Sequence, residues 1–356
     1  MPRVDGRWGV KAAVLHAAGD IRVEDVDDAR IEQPTDVVVR VTHAAVCGSD
    51  LHPYRARFGP PTEGRRPGHE FLGVVDAVGA DVATVRVGDT VLAPFAISDG
   101  TCAPCSRGEY NSCDQGSFFG GDDIYGGQAE AVRVPFADGT LWPVPEALRE
   151  DEILPGVLLL GDVAGTGEHA ARIAGVTAGD AVVVLGDGAV GLCATIAARR
   201  RDPRVLIVVG HHADRLELAK NLGADVVING RDGDVSDRVR EAGGGELADA
   251  VLETVGGGQG PVDAALELVR DFGRIGSVGV FDDTTSVPAG TALSRNLRFA
   301  AGLAPTRAYA DELGALLAAG EIDPRPVLTH RLPIARTDEA YRLMDQREAI
   351  KVLLTP

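Results

Sequence analysis

Three groups of residues in this chain have types and spacings suited to chemistry. The segment "SDGTCAPCSRGEYNSC" (98–113) places Cys102, Cys105 and Cys113 as Cys-x2-Cys-x7-Cys, and one more step of three residues upstream lands on Asp99. Closely spaced thiolates bind zinc, which takes four donors in a tetrahedron. Three cysteines leave one position open, and Asp99 either fills it or serves only the Ser-Asp-Gly-Thr turn. The second group begins in "AAVCGSDLH", where Cys47 is followed by Ser49, Asp50 and His52; twenty-two residues after Cys47, "PGHE" supplies His69 and Glu70. A lone Cys47 would read as a buried, inert thiol. A thiolate with an imidazole, in a chain that also carries the cysteine cluster, reads as a zinc site. The third group is "GDGAVG", which gives Gly186-x-Gly188-x-x-Gly191 directly after an apolar run and before a helical one. In that context the glycines let backbone approach a pyrophosphate that faces the helix N-terminus, the fingerprint of a dinucleotide site.

The elements that must hold these groups change character along the chain. Residues 10–150 are short, β-branched apolar runs broken by Gly, Pro and Asp, such as "VKAAVLH", "DVVVRVTHAAV" and "EFLGVVDAVG". They predict an all-β, partly barrel-like domain. From about 180 the pattern becomes strand, glycine turn, helix, strand: "AVVVLG", "LCATIAARR", "VLIVVG", then "DRLELAKNLGAD" and "DAVLETVG". This alternation predicts an α/β domain with a doubly wound parallel sheet and right-handed crossovers. A helix around "ADELGALLAAG" and a β-like "KVLL" close the chain.

Composition narrows the function classes. With 356 residues the chain is longer than one core usually supports, so two domains are expected. A formal charge of -18 with no offsetting Lys/Arg run argues against nucleic acid and anionic lipid as partners. No run of about 18 apolar residues offers a membrane span. The start of the chain mixes Arg3, Asp5 and Arg7 with two glycines and lacks the apolar stretch of a secretion signal, so cytoplasmic residence is expected. Thiols there stay reduced, which suits a metal site better than a disulfide framework.

Taken together, "CGSDLH", "GHEFLGVVDAVGADV", "VGDTVLAP", the cysteine cluster, "GDGAVG", "DRLELAKNLGAD" and "KVLL" resemble the zinc-dependent alcohol dehydrogenases of the medium-chain dehydrogenase/reductase superfamily, over nearly the whole length. The resemblance implies a GroES-like catalytic domain over residues 1–160, completed by 305–356, and a Rossmann cofactor domain over 161–304. It implies two zinc ions per chain and assembly as a homodimer or homotetramer. Cys47 and His69 match two catalytic zinc ligands, and Asp162 in "LLLGDVAGTGEHAA" matches the third; the alternative for Asp162 is a helix N-cap. Glu70 resembles an acidic neighbour behind the metal, and Asp50 the acceptor of the other His69 ring N–H. Asp99, Cys102, Cys105 and Cys113 match the four ligands of the family's structural zinc, spaced 3, 3 and 8 residues apart.

Zinc acidifies a bound alcohol, or polarises a carbonyl in the reverse direction, for hydride exchange with a nicotinamide. By resemblance Ser49 takes the alcohol proton and passes it toward His52, for which a plain surface histidine is the alternative. Thr166 and Val190 match positions that pack behind the nicotinamide, and Lys351 in "KVLL" is a further candidate cofactor contact. Phe95 aligns with an aromatic of the substrate pocket, with Phe118, Phe119 and Leu293 as further apolar candidates; core residues are the equal alternative for all of them. The resemblance implies a small-molecule alcohol or carbonyl substrate, with primary, secondary, aromatic and natural-product alcohols all open, and an apolar cleft disfavours a polyol-type dehydrogenase. A non-catalytic zinc protein that senses NADPH/NADP⁺ is the reading from another class, and the Ser49/His52 pair counts against it.

Cofactor preference is read at the end of the second strand. NAD-binding units carry an Asp or Glu about 20 residues after the glycine turn, where it accepts from the adenosine ribose hydroxyls and repels a 2′-phosphate. Here that position is Gly210, followed by "HHADR". Gly210 would leave room for a phosphate, and His211, His212 and Arg215 would donate to it. NADP(H) is therefore expected over NAD(H), with Asp214 as a nearby opposing charge.

Overall fold

The computed structural model describes residues 9–356. The stretch with Arg3, Asp5 and Arg7, on which the expectation of cytoplasmic residence rests, lies outside them. Two compact units emerge: the chain up to Asp162 together with Pro305–Pro356, and Val163–Ala304.

The first unit is β-rich and is built around the strand Val37–Val46, whose β-branched "VVVRV" fits a pleated surface. It pairs antiparallel with Phe71–Val78, which in turn pairs with Thr90–Ala93. Val37, Val39 and Val41 enter a core with Phe71, Val75, Val91, Leu141 and Tyr341, while Arg40, in the opposite phase, is exposed. Register shifts at Val38/Val39 and Val41/His43 mark bulges, which bend and twist the strand. The C-terminal strand Val352–Thr355 returns to pair antiparallel with the same element, Val352 opposite Val46. The residue after Val46 is Cys47, so this pairing fixes the end of the strand from which that thiol projects. A short ladder, Ala96–Ile97 with Ser117–Phe118, closes the base of the cysteine-bearing lobe.

The second unit is a six-stranded parallel sheet. In spatial order its strands are Val226–Asn229, Val205–Gly210, Ala181–Leu185, Ala248–Glu253, Val269–Ser277 and Arg298–Ala301. The spatial order is therefore third, second, first, fourth, fifth and sixth in the chain, the doubly wound arrangement. Strands covered on both faces read as continuous apolar runs, which "AVVVL" and "VLIVV" do, and both are fully buried. The expected fold class, α/β with a β-rich companion, is the one found. Among the described residues no helix is long and apolar enough to cross a membrane.

Candidate metal centres and cofactor site

The first cluster lies within the β-rich unit and gathers Cys47, His69, Glu70 and Asp162, whose ligand atoms all lie within 4.8 Å of one another. Cys47 ends its strand and leads into the helical turn Gly48–Asp50, and this turn brings the Asp50 carboxylate back to accept the Cys47 N–H at 2.9 Å. The other Asp50 oxygen is 3.2 Å from His69 Nδ1, which leaves Nε2 to face the cluster. Asp162 Oδ2 is 3.3 Å from His69 Nε2 and 3.2 Å from Cys47 Sγ. Ser49 Oγ also lies 3.2 Å from His69 Nε2.

Burial, reinforced by the Asp162 carboxylate, pushes the Cys47 thiol up to about 11. Burial likewise pushes Glu70 to about 7, with Lys351 pulling it down. Asp162 is held well below the usual carboxylate range, because its hydrogen bond and attraction to His69 outweigh its burial. One Glu70 oxygen is buried without a hydrogen-bond partner among the described residues. A converging thiol, imidazole and carboxylates with an unsatisfied oxygen among them fit a dication, which would stabilise the thiolate that burial disfavours.

The second cluster, also in the β-rich unit, brings Asp99, Cys102, Cys105 and Cys113 within the same mutual 4.8 Å. Asp99 does what both of its readings ask. Its Oδ1 accepts the N–H groups of Thr101 at 2.7 Å and Cys102 at 2.9 Å, as a turn residue would, while its carboxylate also offers an oxygen to the three sulfurs. Despite partial desolvation, these N–H donors and the neighbouring thiols hold Asp99 down at about 2. Cys113 Sγ is tied to the Asp99 N–H at 3.2 Å. The set offers four donors, three of them sulfur, as a structural zinc site would use.

In the parallel-sheet unit the glycine turn follows Ala181–Leu185, and the helix Ala189–Arg199 begins with Gly188 as its N-cap. A Cβ on Gly191 would stand 2.1 Å from the Gly186 carbonyl oxygen, so helix and strand approach too closely for any side chain there. Around Gly188 there is open space, as backbone approach by a ligand needs. Asp187, between the two glycines, is buried and reaches the end of the second strand. Its Oδ2 accepts the N–H groups of His211 at 2.6 Å and His212 at 2.8 Å, and His212 Nδ1 lies 3.0 Å away.

Residues 33–146 match the alcohol dehydrogenase GroES-like domain family, and residues 189–318 the zinc-binding dehydrogenase family. Zinc-type alcohol dehydrogenase B of Aspergillus flavus is 35% identical over 351 residues, which cover 97% of this chain and 81% of that protein. The chain is a zinc-type alcohol dehydrogenase of the medium-chain dehydrogenase/reductase superfamily. Among solved structures, alcohol dehydrogenase TADH from Thermus sp. ATN1 aligns with this dehydrogenase at a TM-score of 0.90 and 36% identity, covering 97% of this chain and 99% of that one. A zinc-binding dehydrogenase from Sinorhizobium meliloti, described as putative and bound to NADP, aligns at a TM-score of 0.83 and 25% identity, covering 98% and 100%.

The dehydrogenase has two candidate zinc sites and uses a nicotinamide cofactor. Lys351 is not a free cation for the cofactor: it is 1% exposed, and its ammonium is bonded to Glu70 and to the Val46 carbonyl. Phe119 belongs to the core, edge-on to Phe71 at 4.9 Å. Phe95 stacks on Phe118 at 6.0 Å and meets the His69 ring edge-on at 6.5 Å, so this aromatic pair borders the first cluster. Leu293 is 81% exposed on the helix Ala289–Ser294 of the other unit. Thr166 and Val190 sit half-buried on the helices Val163–Ile173 and Ala189–Arg199, and Arg215 is buried in Ala213–Asn221. His52 lies edge-on to Phe58 and has its Nδ1 buried without a hydrogen-bond partner among the described residues.

Two supporting residues of the dehydrogenase escaped sequence reasoning. Gln128 donates to Asp50 at 3.0 Å and to the Ala45 carbonyl at 3.2 Å, and accepts from the Tyr341 hydroxyl at 3.0 Å. Neither residue is near the cluster in sequence, and no spacing signal announces them. Asp187 was in plain view within "GDGAVG", but its meeting with Gly210 is a long-range contact.

Proposed function

We propose that Cys47, His69 and Asp162 hold the zinc at which an alcohol and its aldehyde or ketone interconvert, and that the cysteine lobe holds a second, structural zinc. The observation that carries this reading is the convergence of Cys47 Sγ and His69 Nε2 on one Asp162 oxygen, at 3.2 and 3.3 Å. Two anionic ligands and one neutral ligand offset the charge of Zn²⁺ and leave a fourth position open. When bound, zinc supplies the Lewis acidity, and the nicotinamide the hydride acceptor or donor.

The chain's own groups do the rest. Asp50 fixes the His69 ring by holding Nδ1–H. Ser49 Oγ, within reach of the same imidazole, accepts the alcohol proton, and His52 carries it onward. Lys351 neutralises Glu70 behind the cluster. Phe95 and Phe118 make an apolar wall that suits a small alcohol or carbonyl compound over a polyol. In the parallel-sheet unit the glycine turn takes the pyrophosphate, Thr166 and Val190 back the nicotinamide, and Arg215 stays with the adenosine end.

NADP(H) is supported by the bare Gly210, by the donors of His211, His212 and Arg215, and by the NADP bound in the S. meliloti relative. A specific observation favours NAD(H) instead: the backbone donors at His211 and His212 are already held by the Asp187 carboxylate. Assembly as a homodimer or homotetramer and residence in the cytoplasm, where five free cysteines would stay reduced, complete the reading. A panel of alcohols and aldehydes assayed with both nicotinamides, alongside zinc per chain, tests it: zinc-dependent turnover with at least one pair is expected, and none in fully zinc-loaded protein would overturn it.

A further inference from the structure

Gly210 ends the strand Val205–Gly210, at the place where a Rossmann unit for NAD carries the acid that reads the adenosine ribose. The bare position is not vacant. A Cβ on Gly210 would lie 2.5 Å from Asp187 Oδ2, 2.6 Å from its Cβ and 2.7 Å from its Cγ. The Asp187 side chain therefore lies directly on the Gly210 backbone, and the missing side chain of one residue makes room for the other.

Asp187 is held there from several sides. Oδ2 accepts the His211 and His212 N–H groups at 2.6 and 2.8 Å, and the His212 ring approaches both oxygens, at 3.0 and 3.1 Å. Asp187 is only 7% exposed, and the loss of its side chain would leave two N–H groups unmet.

We propose that Asp187 is the specificity-determining acid of the cofactor site, transplanted from the strand end to the glycine turn, and that it selects NAD(H) by accepting from the ribose hydroxyls and excluding a 2′-phosphate. A carboxylate has about four lone-pair directions. Oδ2 spends its own on the two backbone groups and shares the His212 ring with Oδ1, which keeps capacity for a hydroxyl donor. A 2′-phosphate at this place would compete with Asp187 for the same N–H groups and meet its charge at close range. Of the groups expected to bind that phosphate, the His211 N–H and both the N–H and the ring of His212 already serve the resident carboxylate.

The inference rests on the nicotinamide-linked reading but is tested apart from turnover. Calorimetric titration of the zinc-loaded full-length chain with 5′-AMP and with 2′,5′-ADP compares two ligands that differ only by the 2′-phosphate. The wild type is expected to bind 5′-AMP the more tightly. Asp187→Ser should raise the affinity for 2′,5′-ADP relative to 5′-AMP at least tenfold. Gly210→Asp alone should lose 5′-AMP binding through collision, and Gly210→Asp combined with Asp187→Gly should regain it, since the acid returns to the strand end. Tighter binding of 2′,5′-ADP by the wild type, which needs no variant to fold, would overturn the proposal, as would an unchanged ratio in folded Asp187→Ser. Failure of the oxidoreductase reading looks different: 5′-AMP would still bind in the predicted order, with no turnover on any substrate.

Discussion

Asp50 binds His69 through one carboxylate oxygen, at 3.2 Å from Nδ1, and the Cys47 N–H through the other, at 2.9 Å. A single side chain thus positions two of the three proposed zinc ligands, and Gln128 anchors it in turn. Asp50→Asn should lower zinc affinity at the first cluster by about 10–100-fold, the usual effect of losing such a support. Competition with a chromophoric chelator measures this, and the cysteine lobe should keep its metal.

Cys105 is buried, and burial pushes its thiol up, so the thiolate form depends on a cation among the four donors. Cys105→Ser should reduce zinc from two to one per chain and lower the thermal midpoint by about 5 °C or more. Elemental analysis and calorimetry on one preparation check both. Hydride transfer should persist in the folded fraction.

Lys351 and Glu70 form an ion pair in which both side chains are essentially inaccessible. Removing one partner strands the other. Lys351→Met should cost about 3–5 kcal/mol in chemical unfolding, whereas Lys351→Met with Glu70→Gln should recover most of it, because a neutral pair needs no counter-charge.

Glu168 is buried and receives Arg201 at 2.6 Å and Arg172 at 2.8 Å. Burial alone would raise its carboxyl; the arginines outweigh that and depress it. A carboxyl lower in the folded chain than in the unfolded one contributes stability that is complete above the ordinary value of about 4.3 and is lost as pH falls through the depressed value. Glu168→Gln should therefore cost about 3 kcal/mol at pH 7 and flatten the acid limb of the unfolding curve below about pH 4. A series of thermal midpoints from pH 3 to 8 reads both effects.

Much of this was legible in the sequence because it is carried by local patterns. The glycine turn lies between a strand and a helix, and the cysteine spacing fits a lobe small enough to close on one ion. Residue type suggested Cys47 and His69, the family resemblance added Asp162, and the fold brings the three together. The positions whose surroundings could not be read from local pattern depend on contacts far apart in the chain. Lys351 reads as a cation at the end of a strand, and only the pairing of Val352 with Val46 carries it to Glu70. Gly210 reads as an absence, and only the adjacency of the strands Ala181–Leu185 and Val205–Gly210 shows that Asp187 covers it. Phe119 has the same composition cue as Phe118, but alternation along the strand end sends it inward against Phe71.

Asp162 is the proposed third zinc ligand, and the zinc it would hold is the one proposed for alcohol oxidation. Zinc content and kcat measured on the same sample of Asp162→Ala test it most directly. We predict that zinc falls from two per chain to one and that turnover is lost, because two strong ligands do not hold the ion, while 5′-AMP still binds. Two zinc ions per chain with near wild-type kcat, and a stability loss of only about 1 kcal/mol as for a missing helix cap, would contradict it.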